Sequence, residues 1–116
     1  MTIERIESGP RMSKAVVHGD TVYLAGQVAG AAAGGTVAEQ TGDILAIIDG
    51  FLAQAGTDKT KLLSANIWLT DMSTFAEMNA VWDAWLAPGC APARATVEAK
   101  LAAPQFKVEI AVIAAK

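Results

Sequence analysis

A single cysteine, Cys90, and a single histidine, His18, stand in a chain of 116 residues. One cysteine excludes a disulfide within the chain, and the pair leaves too few soft ligands for a structural zinc site. Cys90 follows Pro88-Gly89, His18 precedes Gly19-Asp20, and both read as structural residues beside turns. An excess of positive charge is missing too. Nine Lys and Arg against twelve Asp and Glu give a formal charge of −3. The nine basic residues, from Arg5 to Lys116, are scattered rather than striped, so counterion-driven binding has no footing and no nucleic-acid partner is expected. No window approaches the roughly 18 apolar residues of a membrane span. Glu4 and Arg5 fall where a signal peptide needs an apolar run, so the expectation is a cytoplasmic protein with no membrane partner. Also absent are the phosphate-binding G-x-x-x-x-G-K, the nucleophile elbow G-x-S-x-G and a strand-to-helix G-x-G-x-x-G.

What is present is alanine, 24 residues of it, within an apolar fraction of 53%. The length allows one domain, spanning residues 1–116, with one core. Two segments carry a helical period. From Val37 to Ala55 the larger apolar residues Ile44, Ile48, Phe51 and Leu52 recur at three- and four-residue spacings, with Gln40, Asp43 and Gln54 expected off that stripe. Thr36 and Glu39 form a capping box at its start, and Gly56 suits the left-handed residue past its end. The second helix is expected from Ser73 to Ala87, with Thr74 and Glu77 as another capping box and Pro88-Gly89 as its stop. Trp82 and Trp85 lie on its apolar stripe and read as core or interface residues.

The other segments read as strands: Ile3–Glu7, Lys14–His18, Thr21–Val28, Leu62–Leu69, Ala93–Ala99 and Lys107–Ala115. Gly19-Asp20 suits a two-residue type II′ hairpin. The order predicts an α/β (α+β) sandwich, a single mixed sheet with two helices on one face. Strict alternation along Thr21–Val28 would put Val22, Leu24 and Gly26 on one side and Tyr23, Ala25 and Gln27 on the other. Neither side is plainly solvated, and a sheet apolar on both faces needs a partner. The glycine- and alanine-rich stretch from Val28 to Gly35 reads as a mobile loop.

Chemistry concentrates in the C-terminal third. In a regular strand Arg94, Thr96 and Glu98 share one face, while Ala95, Val97 and Ala99 share the other, which looks core-like. Glu109 is the one polar residue in the apolar run Val108–Ala114, where a carboxylate must find a partner, a pocket or a solvated edge. Arg94 could equally serve as an ion pair between sheet and helix. Together a guanidinium, a hydroxyl and a carboxylate could anchor, orient and exchange protons with a small carboxylate-bearing metabolite.

The run Pro92-Ala93-Arg94-Ala95-Thr96-Val97-Glu98-Ala99, with Glu109 fifteen residues after Arg94, resembles the C-terminal signature of the RidA (YjgF/YER057c/UK114) family, also described as the endoribonuclease L-PSP or translation initiation inhibitor family. Gly9-Pro10, Tyr23-Leu24-Ala25-Gly26-Gln27, Leu62–Leu69 with Asp71, and Phe75-x-x-Met78-Asn79 extend the resemblance in family order along the chain.

The resemblance implies a chorismate-mutase-like fold assembled as a homotrimer, with sheets around the threefold axis and ligand clefts between subunits. It implies hydrolysis of reactive enamine/imine intermediates to 2-oxo acids and ammonia, with no cofactor and no metal. Arg94 would grip the substrate carboxylate, Glu109 would position or activate water, Thr96 would take a position often held by cysteine, and Asn79 and the Gly26 backbone would line the cleft. Two positions depart from the deaminase members: Arg11-Met12 follow Gly9-Pro10 where a tyrosine is usual, and Ala25 replaces a serine. These departures leave two alternatives: a non-catalytic, 2-oxo-acid-binding trimer with a stress or regulatory role, and, with less support, an endoribonuclease or translation inhibitor.

Overall fold

The computed structural model describes all 116 residues as seven strands and two helices. They are β1 (Ile3–Ser8), β2 (Ser13–His18), β3 (Thr21–Leu24), β4 (Gln27–Val28), α1 (Val37–Gln54), β5 (Leu62–Leu69), α2 (Phe75–Trp85), β6 (Ala93–Glu98) and β7 (Val108–Ala115). One mixed sheet runs in the order β1-β2-β3-β7-β5-β6, with β4 continuing β3 alongside β7. Only β5 and β6 pair in parallel, as they must when a helix, α2, carries the chain from one to the other. Both helices cover one face. Ile44, Leu45, Ile48 and Leu52 of α1 and Met78 and Trp82 of α2 bury against Val22, Ile67, Leu69, Val108, Ile110 and Val112 of the sheet.

Local signals account for most element ends. Thr36 and Glu39 complete a reciprocal capping box on α1. Gly56, at φ 85°, closes it, with the amide of Gly56 on the Ala53 carbonyl and that of Thr57 on the Leu52 carbonyl. Gly19, at φ 61°, turns the β2–β3 hairpin, the sign a type II′ turn requires at its first central residue.

Four expectations need correction. Gln40, expected off the apolar stripe, is fully buried. Its Nε2 donates to the carbonyls of Gly35 and Gln105 and its Oε1 accepts from the Lys107 amide, which ties two backbone segments to α1. The Thr74–Glu77 box does not form. Thr74 Oγ1 turns back to the Asp71 carbonyl, and Glu77 Oε2 accepts from the Ala38 amide, capping α1 from α2. The stretch before Gly35 stays a loop, but it is anchored: Ala29 is buried, the Gly34 amide reaches the Gln105 carbonyl, and the Ala32 amide reaches Asp43 Oδ2.

The fourth concerns the strand Thr21–Val28, which is interrupted. β3 pairs with β7 as Val22↔Ala114 and Tyr23↔Ile113, whereas β4 pairs as Gln27↔Ile110 and Val28↔Glu109. The second register is offset by one residue, the mark of a β-bulge at Ala25-Gly26. An extra residue reverses the alternation, so Val22 and Leu24 before it and Gln27 and Ala29 after it all face the core. The open face of the sheet carries Tyr23, Leu63 and Val97, between 44% and 50% exposed.

Candidate functional site

Arg94 points toward the helices. The parallel register sets Ala65 beside Arg94 and Ile67 beside Thr96, and both partners are buried under the helix layer. The set expected to be core-like, Ala95 and Val97, is the one exposed on the open face. On α2, Phe75, Asn79 and Trp82 recur at four- and three-residue steps and so share a stripe. They surround the guanidinium. Arg94 Nη1 donates to Asn79 Oδ1 at 2.8 Å, and its Cζ lies 5.7 Å from the Phe75 ring centre and 5.5 Å from that of Trp82. Trp82 is held by Trp85, whose centroid is 5.4 Å away and whose Nε1 donates to Asp49 Oδ2. The arginine does join sheet to helix, but through an amide and two ring faces rather than an ion pair. Those contacts fix its position and leave most of its N–H donors free for an anion.

Thr96 lies two residues along the same strand face. Its Oγ1 is enclosed and has no hydrogen-bond partner within the chain. An orphaned buried hydroxyl costs roughly 1–3 kcal/mol.

Glu109 occupies the other face. It sits on β7, which is central between β3 and β5, so the solvated-edge reading fails. Its cross-strand neighbours are Trp68 on β5 and Val28 on β4. The carboxylate lies directly over Gly26, where a Cβ would stand 2.9 Å from Glu109 Cδ. Beside it opens a cavity of about 240 Å³ lined by Trp68, Ala99, Lys100, Leu101, Ala102 and Glu109. The structure thus brings Arg94, Asn79 and Thr96 together, and Glu109 and Gly26 together, on opposite sides of one sheet.

Phe75 and Trp82 as the walls of Arg94 were missed, although their spacing with Asn79 was visible. Trp68, Lys100 and Leu101 had no local signal, since the β5–β7 register places the first and a loop the other two. A larger cleft, about 440 Å³, lies at the start of α1 among Thr36, Asp71, Glu77 and Lys107. There Thr36 and Glu77 already occupy the helix N–H groups that would attract an anion. No group of three His, Cys, Asp or Glu is close enough to hold a metal ion, and no helix is long and apolar enough to cross a membrane.

The model of the family described as Endoribonuclease L-PSP matches residues 2–116. The chain belongs to the YjgF (RidA/RutC) family. It is 45% identical over 114 residues to a RutC family protein of Haemophilus influenzae, covering 98% of each. It is 44% identical over 115 residues to one of Escherichia coli, covering 99% of each. The crystal structure of a YjgF family member from Neisseria meningitidis superimposes with a TM-score of 0.96 at 49% identity, over 100% of this chain and 96% of that one. The family supplies the fold; the chemistry has to come from the residues just described.

Proposed function

We propose that this RidA-family chain hydrolyses small enamine/imine intermediates to 2-oxo acids and ammonia, in clefts shared between subunits of a homotrimer. The observation that carries the reading is Arg94: a partly buried cation, immobilised by Asn79, Phe75 and Trp82, with no carboxylate among its partners. A fixed guanidinium of that kind fits a planar carboxylate.

An enamine that takes a proton from solvent on its β-carbon becomes an iminium, whose carbon is electrophilic. Water adds there and gives up a proton to Glu109. Glu109 returns that proton to the carbinolamine nitrogen and, as the C–N bond breaks, takes the hydroxyl proton and passes it to the departing ammonia, leaving the 2-oxo acid and ammonium. One oriented water and one carboxylate suffice, and no cofactor takes part. Because Arg94 and Glu109 lie on opposite faces, one substrate meets both only if Glu109 and Gly26 come from a neighbouring copy. The exposed Tyr23, Leu63 and Val97 favour a second copy on the open face.

The test is ammonia release from an imine generated in situ by an amino-acid oxidase. Arg94→Ala should abolish the acceleration, and equal rates for the two proteins would sink the reading. A second reading, a 2-oxo-acid-binding trimer without turnover, is favoured by Arg11-Met12 and Ala25 in place of a tyrosine and a serine. It requires Arg94-dependent binding and no accelerated hydrolysis. RNA cleavage has less support, given a charge of −3 and scattered cations.

A further inference from the structure

We infer that Gly26 is a positioning residue for Glu109, a role that rests on the hydrolase reading for its catalytic meaning. Four glycines have a positive φ, Gly19, Gly34, Gly56 and Gly89, and Gly26 is not among them. Its backbone conformation therefore does not demand glycine. Space does. A Cβ at residue 26 would overlap Glu109 Oε2 and stand 2.9 Å from Cδ and 3.2 Å from Cγ, so the carboxylate rests on bare backbone.

The surface under Glu109 is itself fixed. The bulge at Ala25-Gly26 is bracketed by the two β7 registers, and Val28 pairs directly with Glu109. Buried Gln27 folds back so that its Nε2 donates to the Ala25 carbonyl at 3.0 Å, holding the bulge from the core side. The inserted residue thus does two things. It turns Gln27 inward, and it presents a side-chain-free peptide to the carboxylate. A carboxylate displaced from this position loses the alignment of any water it holds there.

The test is a four-protein cycle of wild type, Gly26→Ala, Glu109→Ala and the double variant, read by thermal unfolding and by imine hydrolysis. Gly26→Ala should lower Tm in the wild-type background and leave it unchanged or raised in the Glu109→Ala background, where all three contacting atoms are gone. Gly26→Ala should also lower kcat roughly ten- to a hundredfold with KM held within about twofold. Equal Tm losses in both backgrounds, or a KM increase with kcat unchanged, overturn the inference. A wild-type chain that releases no ammonia sinks the hydrolase reading instead, and the Tm comparison then decides the seat alone.

Discussion

The Arg94 guanidinium and the Glu109 carboxylate stand on opposite faces of one sheet. Arg94 lies under the helices against Asn79, Phe75 and Trp82, while Glu109 lies over Gly26 next to Trp68 on the open face. A ligand that needs both must bridge two copies, and heterologous contacts around a threefold axis supply this three times over.

Mixing two dead variants is therefore expected to restore activity. Arg94→Ala and Glu109→Ala should each be inactive alone. Unfolded together in equal amounts and refolded, they should recover about a quarter of wild-type hydrolysis, since each shared site draws one residue from each side. No recovery would place both residues in one subunit's site. Sedimentation at micromolar concentration checks the assembly: three copies of a 12.0 kDa chain are expected, and a 12 kDa species rejects the trimer.

Gln40→Leu should destabilise the fold by about 2 kcal/mol or more in urea unfolding, because it orphans the Gly35 carbonyl and the Lys107 amide, while the Gln105 carbonyl keeps the Gly34 amide. A loss near that of an ordinary surface change would mean that water replaces the amide.

Thr96→Val keeps the shape and removes an enclosed hydroxyl with no partner in the chain. Without ligand the variant should be about 1 kcal/mol more stable than wild type by denaturant unfolding. Destabilisation would show that the hydroxyl finds a partner within the fold.

Gly50 lies in the exposed part of α1, and a Cβ there would meet nothing within 4 Å. Gly50→Ala should stabilise the helix by roughly 1 kcal/mol and raise Tm by several degrees.

Three carboxylates are held below their ordinary values of 4.5 for Glu39 and 3.8 for Asp58 and Asp71, each by hydrogen bonds from a neighbour: Thr36, Thr60 and Ser73 respectively. A lowered folded-state value contributes stability above the ordinary value, and that contribution disappears as pH falls through the folded one. Between about pH 6 and about pH 3, Tm should drop more steeply for wild type than for the Glu39→Gln/Asp58→Asn/Asp71→Asn variant. Parallel profiles would remove these caps from the acid sensitivity.

The element order was legible because capping boxes, turn glycines and apolar periods are local signals: Thr36 with Glu39, Gly56, and the Ile44–Ile48–Leu52 stripe act within a turn or two of chain. What escaped depends on register. One inserted residue at Ala25-Gly26 reverses which side chains face inward, and no composition pattern announces it. The same blindness assigned Ala95 and Val97 to the core, since alternation says which residues share a face but not which face is covered. Gln40 misled for a related reason: its partners, Gln105 and Lys107, lie more than sixty residues away. In the site, the residue types of Arg94, Thr96 and Glu109 were visible, whereas their separation by the thickness of the sheet was not.

The clasp that Gln40 makes on Gln105 and Lys107 separates the wall of the Glu109 cavity from the group that would do its chemistry. Leu101 and Ala102, which line that cavity, precede the clasp, and Glu109 follows it by two residues. Length and sequence between Lys100 and Ala103 can therefore vary without shifting the β7 register. A longer or shorter loop there would reshape the cavity beside Glu109 and leave the carboxylate where the β5–β7 pairing puts it.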